Sequence, residues 1–135
     1  MPTVSDPNLI LSESDGFVTI RVLYNVTFST FDRALSELGR NWHSHVYVHG
    51  WDGGPDLGAQ ITAADFDRVD FDVNPGTGDQ LIPQDVTKRV ARSALQEDPT
   101  GNPDELKARV RIHSNQTVEE WLDAISDEEV LTSAP

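Results

Sequence analysis

The residues from Phe17 to Phe28 carry an apolar or aromatic side chain at every second position. Alternation with period two places successive side chains on opposite faces of a β-strand, whereas a helix requires a period of 3.6. One face of this segment is entirely apolar or aromatic and consists of Val18, Ile20, Val22, Tyr24, Val26 and Phe28. The pattern predicts a long, half-buried strand whose apolar face must pack against a second layer.

The segment from Trp42 to Trp51 alternates in the same way and contains three of the four histidines. As a strand, it presents one polar and aromatic face: His43, His45, Tyr47, His49 and Trp51. The opposite face carries Trp42, Ser44, Val46 and Val48 and is expected to be buried. Because exposed aromatic and histidine side chains are typical of binding surfaces, we predict Tyr47, His49 and Trp51 as interface residues.

Two later segments, 68–74 and 105–113, alternate as well and are predicted to be strands. The second one would direct Lys107, Arg109, Arg111 and His113 outward. Residues 85–95 fit either a strand or a helix, and the flanking turns favour a strand. The triplet Leu9-Ile10-Leu11 fits a short edge strand or a docking arm.

Two segments have helical spacing. Phe31, Ala34, Leu35 and Leu38 predict a short helix that lies against a sheet, with a cap at Ser29 or Thr30 and a stop at Gly39. Thr117 and Glu120 match a capping box, and an apolar stripe follows: Val118, Trp121, Leu122 and Ile125. This pattern predicts a C-terminal helix, on which Trp121 contacts either a neighbouring subunit or its own sheet.

These elements predict a mainly-β fold: an antiparallel β-sandwich, or a partial barrel, with a short helix after the first long strand and a C-terminal helix. The chain of 135 residues has the size of one ordinary domain. We divide it into an N-terminal arm (1–15), a β-sandwich domain (16–114) and a C-terminal helix and tail (115–135).

The net charge of −13 repels phosphate backbones and anionic lipids, so we expect neither nucleic acid nor a membrane as partner. There is no cysteine, which excludes disulfides and thiolate-bound metals. No apolar run is long enough to span a membrane, and the first residues lack the features of a secretory signal. We therefore predict a cytoplasmic protein or a component of an assembled particle.

The acidic residues are mostly Asp (15, against 8 Glu), and Lys88 and Lys107 are the two lysines. Short, well-hydrated carboxylates and few lysines are typical of proteins that stay soluble at high salt, where charge repulsion is screened. This composition predicts a halophilic source. A GC-rich genome that favours Asp and Arg codons is the alternative explanation.

His43 and His45 have the spacing at which one strand face offers two imidazoles to one metal ion, with Cα atoms roughly 7 Å apart. His49 lies too far along the strand to join them. A third ligand would be His113, Asp70 or Asp72, and such a set suits zinc or non-haem iron. The alternative is an outward-facing polar strand whose histidines bind no metal.

The His43-x-His45 pair resembles the metal-binding motif of cupins, which are small β-barrel proteins that bind a metal through histidines. The resemblance covers residues 42–51. Cupins carry a Glu a few residues after the pair, where His49 stands here, and a second histidine motif on a later strand. In this chain no histidine follows Pro75-Gly76 before His113, so the family is not assigned.

A second candidate site lies near Gly101, where Glu97, Asp98 and Asp104 cluster and offer hard oxygen ligands suited to calcium. Chance clustering in so acidic a chain is the alternative.

The sequence favours a non-enzymatic structural or interaction module in a larger assembly, such as a virus particle, a tail-like device or a surface structure. Its partners would be other proteins or copies of the same chain. One alternative is a small cupin-like metal-dependent enzyme that uses His43 and His45. Another is a calcium-assisted carbohydrate-binding or surface-binding module.

Overall fold

The structure is a computed structural model that describes residues 2–50, 60–95, 104–115, 121–125 and 129–131. It confirms the predicted mainly-β fold, because the strands form two antiparallel sheets that pack face to face. The strands are β1 (Thr3–Val4), β2 (Asn8–Ser14), β3 (Phe17–Phe28), β4 (Trp42–Gly50), β5 (Val69–Asp70), β6 (Gln80–Ala91), β7 (Asp104–Ser114), β8 (Trp121–Ile125) and β9 (Glu129–Leu131). The helices are α1 (Thr30–Glu37) and α2 (Arg92–Leu95), with a 3₁₀ turn at Thr62–Ala64.

The first sheet is built around β3, the long strand that its alternation predicted. β6 pairs with β3 along its full length on one edge, while β2 and then β1 pair along the other edge. Strands β2 and β3 form a hairpin through Asp15 and Gly16, which both have positive φ angles (54° and 79°). A two-residue loop with this backbone matches the right-handed twist of the strands that it joins. The triplet Leu9-Ile10-Leu11 therefore belongs to a strand of the sheet, as one of its two interpretations predicted.

The second sheet has the order β5-β4-β7-β8, and β9 pairs with β7 beyond the end of β8. The core lies between the sheets and contains every residue that the alternation placed inward on β3, including Tyr24 at 3 % exposure. It also contains the predicted inward residues of β4 and of the 105–113 strand: Trp42, Ser44, Val46, Val48, Leu106, Ala108, Val110 and Ile112. Phe28 packs between Trp42 and Phe71 at one end, with ring centroids 5.3 and 5.5 Å apart.

The predicted C-terminal helix is wrong where the structure describes this part of the chain, because 121–125 and 129–131 are strands. The predicted capping box at Thr117 and Glu120, together with Val118, lies outside the described residues. The register of β8 places Leu122 opposite Ile112 and Ala124 opposite Val110 on β7. Of the residues in the helical stripe, Leu122 is thus opposite an apolar residue of β7, whereas Trp121 and Ile125 are opposite His113 and Arg109.

Two strand predictions also need correction. The predicted strand 68–74 is reduced to Val69–Asp70. Beyond this strand, Phe71 N donates to Trp42 O (3.1 Å) at the first residue of β4. Residues 85–95 form a strand as far as Ala91 and then helix α2.

Helix α1 has the predicted position and the predicted cap at Ser29, but its apolar stripe is not buried as a whole. Phe31 and Leu38 are 68 % and 78 % exposed, while Asp32 is 1 % exposed. Leu35 alone among the four stripe residues packs against the core. Asp32 turns inward because its carboxylate accepts a hydrogen bond from Ser29 N (2.9 Å) while Ser29 Oγ accepts one from Asp32 N (3.1 Å). Neither helix in the described part of the chain is long and apolar enough to cross a membrane.

Candidate functional site

The chemistry that the sequence concentrates on one strand becomes part of a wider surface, because β4 and β7 pair along their length. Their register places His43 opposite His113, His45 opposite Arg111, Tyr47 opposite Arg109 and His49 opposite Lys107. The partners of a β-pair point to the same side of the sheet, and the residues between them are buried. We call this outer surface of the second sheet the histidine face; it consists of His43, His45, Tyr47, His49, Lys107, Arg109, Arg111 and His113.

Four rings form a continuous row across the histidine face. The ring of His43 lies edge-on to those of His45 and His113, with centroids 5.2 and 5.4 Å apart. Tyr47 stacks on His45 with an interplanar angle of 13° and a centroid distance of 5.9 Å. These side chains are half-buried. His49 is 7 % exposed and lies at the covered end of the face, where it forms an isolated bridge with Gln60.

Strand β5 borders the row on the side of β4. Asp70 pairs with His43 across the two strands, and the Arg68 guanidinium forms an ion pair with the Asp70 carboxylate (3.1 Å). A depression of about 370 Å³ lies here. Its lining residues are Asn41, Trp42, His43, Arg68, Asp70, Phe71 and Asn115. An ion pair and side-chain amides therefore lie beside His43.

Burial lowers the pKa of both His43 and His45 below the ordinary histidine value of 6.5. The positive charge of Arg68 and the neighbouring imidazoles lower the pKa of His43 further, while the Asp70 carboxylate raises it. Arg68, His113 and Arg111 lower the pKa of His45 in the same way. Both imidazoles are consequently neutral at pH 7, and the fixed positive charge of the histidine face comes from its arginines and Lys107.

The sheet brings the three predicted histidine ligands, His43, His45 and His113, next to each other. Asp70 is also adjacent, whereas Asp72 lies beyond the end of β5. Within the described ranges, however, no group of three or more His, Asp or Glu side chains is arranged to hold a metal ion. Metal binding at this site stays a prediction.

Elemental analysis of the untagged protein tests that prediction. A metal present in stoichiometric amount and lost in both His43→Ala and His45→Ala would establish the site, because each imidazole supplies one bond. The variant His49→Ala is the matched control, since His49 lies too far along β4 to share the ion. Metal retained in all three variants would contradict the assignment.

The remaining predicted residues are distributed as follows. Glu97 and Asp98 lie outside the described residues, and Asp104 is the first residue of β7, so the calcium site stays a prediction. Trp51 also lies outside the described residues. Trp121 is registered opposite His113 on β8, and Asp123 is opposite Arg111. The predicted interface residue Trp121 thus belongs to the same sheet as Tyr47, although on a strand and not on a helix.

Arg68 was not singled out from the sequence. The local sequence pattern around it gives no sign of a site, and its position beside His43 depends on the pairing between β4 and β5. The cations Lys107, Arg109 and Arg111 were predicted to point outward, but their place beside the histidines depends on the β4–β7 register. The sequence does carry one signal for this basic surface: three of the chain's 10 Lys and Arg residues lie on one face of a single predicted strand.

No protein-family model matches the sequence, and no curated protein matches it. Among solved structures, the chain is similar to the X-ray structure of Northeast Structural Genomics Consortium target SoR45, at 10 % sequence identity. The match covers 98 % of this chain and 86 % of that chain, with a TM-score of 0.29. A TM-score this low shows neither a shared fold nor a shared function.

Proposed function

We propose that this chain is a non-enzymatic interaction module of a larger assembly, and that its histidine face binds a partner protein that presents carboxylates. The observation that carries the proposal is the row of rings from His113 through His43 and His45 to Tyr47, bordered by arginines. Tyrosine and arginine are enriched at the energetic centres of protein interfaces, because they combine a large contact area with polar groups.

The charge distribution supports an acidic partner. The chain has a net charge of −13, yet four of its ten basic residues lie on or beside one sheet surface. These residues are Arg68, Lys107, Arg109 and Arg111. Planar guanidinium groups bind carboxylates through two parallel hydrogen bonds, which gives orientation as well as attraction. A partner with exposed Asp or Glu side chains is therefore complementary in charge to these four cations.

The shape of the site also favours a macromolecular partner. The side chains of the histidine face lie on the outer surface of a regular sheet, and four aromatic rings follow one another across it. Protein interfaces are broad surfaces of this kind, whereas small-molecule sites enclose most of their ligand.

A labelled acidic peptide rich in Glu and Tyr serves as the probe, and its binding to the full chain is followed by fluorescence anisotropy at low salt. We expect Arg109→Glu to weaken binding at least about ten-fold, because it reverses a charge next to Tyr47. The matched control is Arg21→Glu, which makes the same change in net charge on the exposed surface of the other sheet and should change the affinity much less. Equal losses in the two variants would contradict the proposal.

Backbone NMR shifts provide an independent measurement. Addition of the probe should shift signals of β4 and β7 around Tyr47 and Arg111, and raised salt should reverse the shifts, since the attraction is electrostatic. Shifts confined to the first sheet would overturn the assignment of the surface.

A further inference from the structure

Strand β6 forms an outer edge of the first sheet. It pairs with β3 from Gln80 to Ala91, and none of the other described strands pairs with it. An edge of this length presents a row of backbone N–H and C=O groups that can pair with another strand. Proteins commonly protect such edges with short length, proline or charge, and β6 has the latter two.

The hydrogen bonds of Asn25 show which residues of β6 face outward. Ser5 N donates to Asn25 O (2.9 Å), and Asn25 N donates to Ser5 Oγ (2.8 Å), so the backbone groups of Asn25 point away from β6. Its partner Pro83 is therefore in a pair without mutual hydrogen bonds, and its own backbone faces the open edge. By alternation, the backbone groups of Asp85, Thr87 and Arg89 also face the open edge.

Pro83 lacks an N–H at one of these outward positions, which removes no bond to β3. The proline shortens the usable edge at its start and leaves the stretch from Pro83 to Ala91 available. Along this stretch Asp85, Thr87 and Arg89 are exposed. The Asp85 carboxylate accepts a hydrogen bond from Arg21 Nε (2.8 Å), and the Arg89 guanidinium lies 4.2 Å from the centroid of the Phe17 ring.

A second copy of the chain fits this edge in one register. If a twofold axis passes through Thr87, Asp85 of each copy lies opposite Arg89 of the other, and all the outward backbone groups between them meet. If the axis passes through Asp85 or Arg89, like charges face each other, which is unfavourable. Axes through Val86 or Lys88 bring no opposite charges together.

We propose that two copies of this chain pair antiparallel through β6, with Thr87 at the twofold axis, and join their first sheets into one continuous sheet. The surface is distinct from the histidine face, which belongs to the second sheet. The failure of either proposal would therefore leave the other intact.

Single-cysteine variants test this geometry cleanly, because the chain has no cysteine. In the proposed dimer the two copies of residue 87 face each other with Cα atoms about 5.5 Å apart. The two copies of residue 81 are roughly 40 Å apart along the paired strands. A short bis-maleimide should link Thr87→Cys into a dimer and leave Leu81→Cys monomeric. Equal cross-linking of the two variants, or a monomeric mass of the wild type by light scattering at all concentrations, would overturn the proposal.

Two further variants separate backbone pairing from charge. The N–H of Thr87 faces the open edge, so Thr87→Pro removes this N–H without breaking a hydrogen bond to β3. Dimerisation should weaken at least about ten-fold relative to Thr87→Val, which keeps the N–H. Arg89→Asp should weaken dimerisation, and the double variant Asp85→Arg/Arg89→Asp should restore it. A double variant as weak as the single one would contradict the register, and circular dichroism shows that each variant is folded.

Discussion

At the scale of single residues, the hydroxyl groups of Tyr24 and Ser44 connect the two sheets through the core. Their oxygens are 2.7 Å apart and buried, with Tyr24 on β3 and Ser44 on β4. Burial raises the pKa of Tyr24, while its hydrogen bond to Ser44 opposes that rise. The phenol therefore stays protonated over the neutral range. Because both hydroxyl groups are buried away from water, each is the hydrogen-bond partner of the other.

A double-mutant cycle should show this coupling. Ser44→Ala leaves the Tyr24 hydroxyl buried without its partner and should lower the free energy of unfolding by about 1–3 kcal/mol. Tyr24→Phe should do the same to Ser44. The double variant should lose clearly less than the sum of the two single losses, because no polar atom is then left without its bond. Urea denaturation measures all four proteins, and additive losses would contradict the coupling.

His43 and His45 predict how stability depends on pH. Their pKa values are lowered in the folded state, so the unfolded chain binds protons more readily than the folded chain as the pH falls below the ordinary value of 6.5. The free energy of unfolding should therefore fall as the pH decreases from about 7.5 to 5.5, by the linkage between proton binding and folding.

Urea denaturation at these two pH values measures the effect. His43→Gln and His45→Gln, which cannot be protonated, should flatten the dependence. The matched control is Gln60→Ala, which leaves both imidazoles in place. The same loss of stability in the histidine variants and the wild type would show that other groups cause it.

At the scale of elements, helix α1 is held by Arg33, whose guanidinium contacts the loop before β6. It donates to four carbonyl oxygens, those of Asn74, Pro75, Thr77 and Gly78, at 2.9–3.1 Å. Thr30 Oγ1 accepts a further hydrogen bond from Gly78 N (2.7 Å). The helix has only eight residues and would not be stable alone, so these bonds fix its position.

Gly76 should be essential to this contact. Its φ of +150° is unfavourable for other residues, and an added Cβ would collide with the Arg33 guanidinium. We expect Gly76→Ala to lower the free energy of unfolding by about 2 kcal/mol, since the guanidinium must give up some of its bonds. Gly78→Ala is a useful comparison, because a Cβ there meets no neighbour although φ is also positive (+87°). Thermal denaturation compares the two, and an equal loss in both would assign the effect to backbone strain alone.

The sequence predicted the elements whose pattern fits a single period. Residues 17–28 and 42–50 alternate over nine or more positions, so burial of one face determines both the strand and its orientation. Residues 121–125 were too short for the two periods to be distinguished, and pairing with β7 decides for a strand. The apolar stripe of α1 did not predict its buried residue, because Asp32 is buried at the cap through its reciprocal bonds with Ser29.

The candidate site was predictable only in part for a similar reason. Alternation within β4 placed His43, His45 and Tyr47 on one face. The neighbours that complete the surface, Arg68 and Arg111, are distant in sequence and depend on which strands pair. Register between strands is a tertiary property that a single sequence does not reveal through local periodicity.

At the scale of the whole molecule, the net charge of −13 should make stability depend on salt. Added NaCl screens the repulsion between carboxylates, so the melting temperature should rise from low salt to about 1 M, where the Debye length is about 3 Å and screening is nearly complete. A further rise between about 1 and 3 M NaCl would support a halophilic source. A plateau above 1 M would favour the explanation from genome composition.

The central position of β3 also has a consequence for how the chain reaches its fold. Its hairpin with β2 closes through the adjacent residues Asp15 and Gly16, and so can form as soon as both strands have left the ribosome. Its other edge must wait for β6, since Phe28 pairs with Gln80 and Phe17 with Ala91. Until those residues are synthesised, one edge of the twelve-residue strand β3 lacks its paired strand. Slow translation between residues 29 and 79 would prolong that exposure, and a nascent chain arrested there should be a preferred substrate for chaperones.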